Sequence, residues 1–257
     1  MSLNAVVDIR LFSDTASRPH LILADDGNQY VVKFAQNADL PSIVAEYVCG
    51  MLAAKFNLRV LDPIVIMLDA DFIRNSVLLR DREIQAGPHL GTKMINTVFN
   101  LNGNTSKKIY PKKIINRDQV PNMISFDIFV NNKDRNPGNS ILVPVNDDKF
   151  EYVLLDHGEC FGGSNWDGDI AKKMKYELSE IHWDTRLITG VGEFIIPMQE
   201  MTQISSRDVQ QIIDSMPRAW VWDDKSTQSL ILALSNRDMK NMLLCIENNK
   251  SMFPRWI

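Results

Sequence analysis

A change of pattern near residue 85 constrains the fold more than any other feature of this chain. Before it, short runs of β character at residues 6–12, 21–24, 30–34, 64–68 and 77–79 alternate with turn-rich pieces such as Asp25-Asp26-Gly27-Asn28. One helix interrupts them. Asp39 and Pro41 signal its start, and Ile43, Tyr47, Met51 with Val44, Val48, Leu52 follow at helical spacing. Beyond residue 85 a polar stretch, 87–113, reads largely as loop or surface, with Gly87-Pro88, Asn102-Gly103-Asn104 and the basic pairs Lys107-Lys108 and Lys112-Lys113. A helix is expected over about 118–130, then a turn cluster at 131–139 and strand-like runs at 140–145 and 152–155. The remainder reads mainly helical, around 170–179, 206–215 and 225–248. A sheet-rich first third followed by helices predicts an α+β chain with two lobes, 1–85 and 86–257, in one domain, with the junction at 77–87 as the hinge.

Composition narrows the function classes. With 45% hydrophobic and 23% charged residues the chain can bury a core, which excludes a disordered segment. A formal net charge of -4, from 28 Lys+Arg against 32 Asp+Glu, argues against duplex nucleic acid as a partner, because that affinity needs a clustered positive field. The longest apolar run, 43–54, is too short to span a membrane and contains Glu46. The amino terminus has neither a basic region nor an apolar core of signal-peptide type, and Cys49, Cys160 and Cys245 show no metal or disulfide spacing. A cytoplasmic location with three buried thiols is expected; oligomeric state has no signature.

Two isolated charges stand out in the first lobe. Lys33 sits within Tyr30-Val31-Val32-Lys33-Phe34, and Glu46 lies in line with Ile43, Gly50 and Ala53, a face of small residues that allows close helix approach. A carboxylate buried there needs a partner, and Lys33 is the candidate; the alternative is an edge lysine and a half-exposed glutamate that never meet. In the second lobe, Asn132-Lys133-Asp134-Arg135-Asn136-Pro137-Gly138-Asn139 reads first as a turn. Its spacing also suits a loop in which Asp134 accepts a hydroxyl proton while the Asn139 carboxamide binds Mg²⁺. Asp156, at the end of a strand-like run and before His157-Gly158, suits a second ligand of a hard cation.

The order Lys33, Glu46, Asp134, Asn139, Asp156 is the order of a protein kinase. The run Asp127-x4-Asn132-x-Asp134-Arg135-x3-Asn139, followed by Leu154-Leu155-Asp156-His157-Gly158-x2-Phe161, resembles the HipA-like kinase family. It also resembles the paired motifs of phosphoinositide kinases. The resemblance spans about residues 18–163 and thins out in the carboxy-terminal helices. It implies a two-lobed protein-kinase-like fold, with a small antiparallel-sheet N-lobe carrying one helix and a larger, mainly helical C-lobe. By position it implies transfer of the ATP γ-phosphoryl group with Mg²⁺: Lys33 on the α/β-phosphates, held by Glu46; Asp134 as base; Asn139 and Asp156 as metal ligands.

Arg135 has two expected roles, stabilising phosphate charge or pairing with an acidic side chain, while Asp127 is expected to support the loop. The chain departs from the kinase pattern in having no G-x-G-x-x-G; the hairpin 13–20 offers Ser17, Arg18 and other hydroxyls instead. The phenylalanine of the usual Asp-Phe-Gly is His157, expected as a hydrogen-bonded structural imidazole. The acceptor implied is a hydroxyl on a protein; the alternative is a small-molecule or inositide-like hydroxyl, suggested by Asp134-Arg135 and by Pro137-Gly138-Asn139, which resembles the aminoglycoside phosphotransferase loop. The missing glycines keep a third expectation open, a nucleotide-binding module without turnover.

Overall fold

The computed structural model describes residues 2–15, 17–36, 39–80, 82–96, 98–101, 111–163, 169–181, 183–221 and 223–257. The basic pair Lys107-Lys108 therefore lies outside the described residues, as do His182 and Trp222.

The first lobe is a closed barrel of β1 (Ser2–Leu11), β2 (His20–Ala24), β3 (Gln29–Lys33), β4 (Pro63–Leu68) and β5 (Gly87–Lys93), in the order β1-β2-β3-β5-β4. The small antiparallel sheet expected from sequence is modified at one seam, where β1 runs parallel to β4 from Ser2 opposite Val65 to Asn4 opposite Met67. Closure removes both open edges. Ile22, Val32, Ile66 and Leu68 fill the interior.

Strand β5 corrects the reading of 87–113 as loop, since Gly87–Lys93 pairs with both β3 and β4. Its second glycine is a packing device rather than a turn signal: a Cβ on Gly91 would sit 2.6 Å from Ile66 Cγ1. The expected hinge at 77–87 consequently precedes the last barrel strand, and the sheet continues past residue 85. The strand expected at 77–79 is a turn that buries Leu79 and exposes Val77, preceded by a short helix α2 (Ala70–Asn75).

Helix α1 (Leu40–Lys55) spans the two lobes and contributes eight buried residues to the main core. Its far side is tied to the second lobe by Tyr47 Oη, which donates to the Ser215 carbonyl at 3.2 Å, and by Lys55 paired with Asp208 at 2.8 Å. In the second lobe, α3 (Val120–Val130) is apolar almost all round and is accordingly its central helix. It packs on α5 (Gly192–Thr202) and α8 (Met239–Asn248).

Strands β6 (Phe99–Asn100), β7 (Ser140–Asn146) and β8 (Lys149–Leu154) form a second sheet in that order. Helices α4 (Ile170–Lys173), α6 (Ser206–Asp214) and α7 (Asp224–Ser235) complete the lobe. The helix expected at 170–179 stops at Lys173, and the one expected at 225–248 is two, broken at 236–238 where Asp238 caps α8. No helix among the described residues is long and apolar enough to cross a membrane. All three cysteines are free and buried.

Candidate active site

Lys33 ends β3 where the strand faces α1. Its ammonium donates to Glu46 Oε1 on α1 and, at 3.2 Å, to Asp156 Oδ1 just beyond β8. One cation thus joins the barrel, the spanning helix and the second lobe. The expected Lys33–Glu46 pair forms, with side chains only 19% and 11% exposed. Burial works against the Lys33 charge, but Glu46 and Asp156 outweigh it and hold its pKa above the usual lysine value. Burial likewise pushes the Glu46 carboxyl up, and Lys33 reverses only part of that rise. For Asp156 the balance differs: burial raises its pKa, yet the neighbouring Lys33 holds the carboxyl below the usual carboxylate range. Asp156 adopts a left-handed backbone with φ of 51°, a conformation aspartate tolerates better than most residues. Gly158 follows against α1, where any Cβ would overlap Ser42 Oγ.

The loop opposite is built from the end of α3. Asn131 closes the helix with φ of 50°, and Asn132 N–H then bonds back to the Asp127 carbonyl at 2.8 Å, which turns the chain sharply. Asp127, one turn before the end, accepts from Arg135 Nε at 2.9 Å, Arg135 Nη2 at 3.1 Å and Asn132 Nδ2 at 3.0 Å. Arg135 also donates to the carbonyls of Asn139 and, at 2.7 Å, Leu155. Its last contact is His157 Nε2 at 3.0 Å.

These contacts correct the catalytic expectation for Arg135. The guanidinium is buried and every nitrogen is engaged, so it fixes the loop to the Asp156 segment and does not reach the cleft. The alternative, pairing with an acidic side chain, is what the structure shows. His157 is structural for the same reason: an arginine only donates, so Nε2 must accept, and burial followed by the Arg135 charge holds its pKa well below the usual histidine value.

The exposed Asp134 leaves this anchored loop. Its backbone N–H donates to Asn132 Oδ1 at 3.0 Å, and its Oδ2 accepts from Asn139 Nδ2 at 2.9 Å. That bond uses the amide side of Asn139, and its Oδ1 accepts no hydrogen bond among the described residues. Asn139 and Asp156 line one cleft of about 240 Å³ with Lys33 and Glu46, and its other walls include Val31, Val60, Leu90 and Leu154. The cleft is therefore apolar on one side, as a purine ring requires, and charged on the other.

Its metal-donor set fits Mg²⁺ in a nucleotide complex. Among the described residues no three His, Cys, Asp or Glu side chains are arranged to hold a metal ion by themselves. One carboxylate and one carboxamide oxygen suffice for an ion that takes its other ligands from phosphate and water.

Ser17 lines a smaller adjoining pocket with Lys33, Ser42 and Arg82. Arg18, paired with it in the sequence reading, has an exposed side chain that lines neither pocket. Arg82 was missed from sequence because Arg80-Asp81-Arg82-Glu83 carries no motif and reads as a solvated charge run.

Comparison with known proteins establishes the fold and the family. The crystal structure of a Helicobacter pylori proinflammatory kinase, CtkA, superposes with a TM-score of 0.61 at 13% identity, covering 97% of this chain and 99% of that one. The Golgi casein kinase gives a TM-score of 0.52 at 11% identity, covering 96% of this chain and 74% of that one. Its Mn/ADP-bound form gives 0.52 at 12% identity over 96% and 73%. No curated protein sequence matches the chain. The fold is accordingly kinase-like, and since the model of HipA-like kinases matches residues 6–253, nearly the whole sequence, the chain belongs to the HipA-like kinase family.

Proposed function

We propose that the protein is an ATP- and Mg²⁺-dependent phosphotransferase that phosphorylates a hydroxyl on a protein. The observation that carries this reading is the Lys33 ammonium held between Glu46 and Asp156 across the two lobes, beside the Asp134–Asn139 loop. ATP supplies the phosphoryl group, and Mg²⁺ neutralises the charge that develops as it leaves.

Positioning and charge neutralisation are the protein's main tasks in such a transfer. Lys33, held by Glu46, binds the α/β-phosphates. Asp156 and Asn139 Oδ1 hold the metal. Asp134 orients the acceptor hydroxyl and takes its proton. The buried Asp127–Arg135 pair keeps these last groups in register, because Arg135 holds the backbones at Asn139 and Leu155 together. A protein acceptor is favoured by the exposure of Asp134, which is open to a large partner instead of enclosed in a small-molecule pocket. One fold neighbour is likewise named a casein kinase.

Radiolabelled ATP with Mg²⁺ tests the reading through autophosphorylation and transfer to generic protein acceptors. Asp134→Ala is expected to lower turnover by about 10²-fold or more, the usual contribution of a positioned base. Wild-type protein that is stabilised by ATP yet never turns it over would favour a nucleotide-binding module instead. Turnover indifferent to Asp134→Ala would remove Asp134 from its role.

A further inference from the structure

A kinase-like site without a glycine-rich loop still needs a holder for the outermost phosphate, and the smaller pocket beside Lys33 contains a guanidinium. Arg82 approaches it from the segment before β5. Its Nη1 donates to the Arg18 carbonyl at 3.0 Å and to His20 Nε2 at 3.0 Å, and its guanidinium lies 5.0 Å over the Phe34 ring. Because arginine only donates, His20 Nε2 accepts, and His20 Nδ1 carries the proton it shares with Asp8 at 3.0 Å to each carboxylate oxygen. Ser76 Oγ donates to the same carboxylate at 2.6 Å. His20 and the Asp8 side chain are almost wholly buried.

A purely structural tie to the hairpin would need only the bond to the Arg18 carbonyl. The Asp8–His20 relay adds orientation, and it engages one nitrogen of the three. Nε and Nη2 make no hydrogen bond among the described residues, which leaves an ordered guanidinium edge for a ligand.

The pocket that receives Arg82 is also lined by Lys33, Ser17 and Ser42. Lys33 belongs to the main cleft as well, and Ser42 touches Gly158, two residues beyond Asp156. The pocket therefore adjoins the phosphate end of the cleft. Asp39 is its one carboxylate, so its formal charge is +1 with Lys33 and Arg82 counted.

We propose that this pocket is the terminal-phosphate site of the protein, in which Arg82, oriented by His20 and Asp8, binds the outermost phosphate of a nucleoside triphosphate. This rests on the nucleotide reading above and adds a residue and a subsite to it. The guanidinium takes the place that backbone N–H groups fill in glycine-rich loops, and its planar fork suits phosphate oxygens.

Calorimetric titration of wild type, Arg82→Gln and Arg82→Lys with Mg·ATP, adenosine and inorganic tripolyphosphate tests it. Arg82→Gln is expected to weaken ATP and tripolyphosphate about ten- to hundredfold, the range for hydrogen bonds to charged groups, while adenosine binding is unchanged. Arg82→Lys should fall between, since it keeps the charge without the fork. Asp39→Asn should tighten ATP. Equal losses for ATP and adenosine would reduce Arg82 to a hairpin tie, and undiminished ATP binding by Arg82→Gln would overturn the subsite while leaving the kinase reading intact. A wild type that binds neither ATP nor tripolyphosphate would overturn that reading and the subsite with it.

Discussion

Asp127→Asn should be the most informative single substitution in the second lobe. It keeps side-chain volume and the contact to Asn132, yet deletes the charge opposite Arg135. The two side chains are only 2% and 1% exposed, and they are joined by two hydrogen bonds of 2.9 and 3.1 Å. Removing one partner of such a pair leaves a buried, uncompensated charge and costs about 3–5 kcal/mol. Against a total stability of about 5–15 kcal/mol, that is a large fraction. With a urea m-value of about 3 kcal/mol per M, the midpoint should fall by more than about 1 M at unchanged m.

The double variant Asp127→Leu/Arg135→Met should recover part of this loss, because no charge is then left buried. Full recovery is not expected, since the carbonyls of Asn139 and Leu155 lose their donor, at about 1–3 kcal/mol for each unsatisfied group. Phosphotransfer should stay low in both variants, because the loop and the Asp156 segment are no longer bridged. A loss below about 1 kcal/mol for Asp127→Asn would refute the account of this pair as the anchor of the loop.

Other perturbations read different parts of the site. Lys33→Met leaves Glu46 and Asp156 facing each other without a cation and should lower phosphotransfer by about 10²–10³-fold; turnover within a factor of a few of wild type would remove Lys33 from the mechanism. Gly158→Ala sets a methyl against the Ser42 hydroxyl and 3.3 Å from Glu46 Oε1, so both side chains must turn aside, which should cost about 1–3 kcal/mol in urea unfolding together with part of the activity, whereas a fully active, equally stable variant would contradict the close packing. His157 and His89 both have pKa values lowered chiefly by burial, so the folded chain favours the neutral form of each. Their contribution is complete above the unfolded histidine pKa and is lost as pH falls toward the folded values. Stability should therefore decline below about pH 6.5 by up to about 1.4 kcal/mol per pH unit for each histidine. Urea melts from pH 5 to 8 should show a shallower decline for His157→Gln, and a flat wild-type profile would exclude the effect.

What was legible in the sequence follows from where the physical signal was local. The apolar runs at 21–24, 30–34 and 64–68 became strands, and the 3.6-residue spacing of Ile43, Tyr47 and Met51 became α1, because each pattern states its own burial. Lys33 and Glu46 were visible as lone charges in apolar surroundings, and they meet. Strand β5 was obscured by Gly87-Pro88, whose turn character was overridden by pairing with β3 and β4, and by Gly91, which is there for close packing against Ile66. Arg135 could be read two ways because its neighbours in sequence do not reveal its burial. That depends on Asp127 and on backbone carbonyls at Asn139 and Leu155. The Asp8–His20–Arg82 relay was illegible for a similar reason, since its members come from β1, β2 and the segment before β5 and share no spacing.

The charges of the assembled site argue for the order in which its ligands arrive. Asp39, Glu46, Asp134 and Asp156 are formally negative and only Lys33 and the proposed Arg82 are positive, so these six groups sum to -2. A triphosphate entering alone meets a surplus of like charge on the side of Asp156, where the carboxyl is held ionised by Lys33. Lys33 is itself already shared with Glu46 and Asp156. A divalent cation held by Asp156 and Asn139 would bring the sum to 0 and would leave Lys33 free of Asp156 to serve the phosphates. ATP affinity should consequently rise steeply with Mg²⁺ in wild type. Asp156→Asn removes one negative charge, so it should bind metal-free ATP more tightly than wild type while losing most of the Mg²⁺ dependence. Titrations of the two proteins with and without the ion should show that crossover, and equal Mg²⁺ dependence in both would take Asp156 out of the metal site.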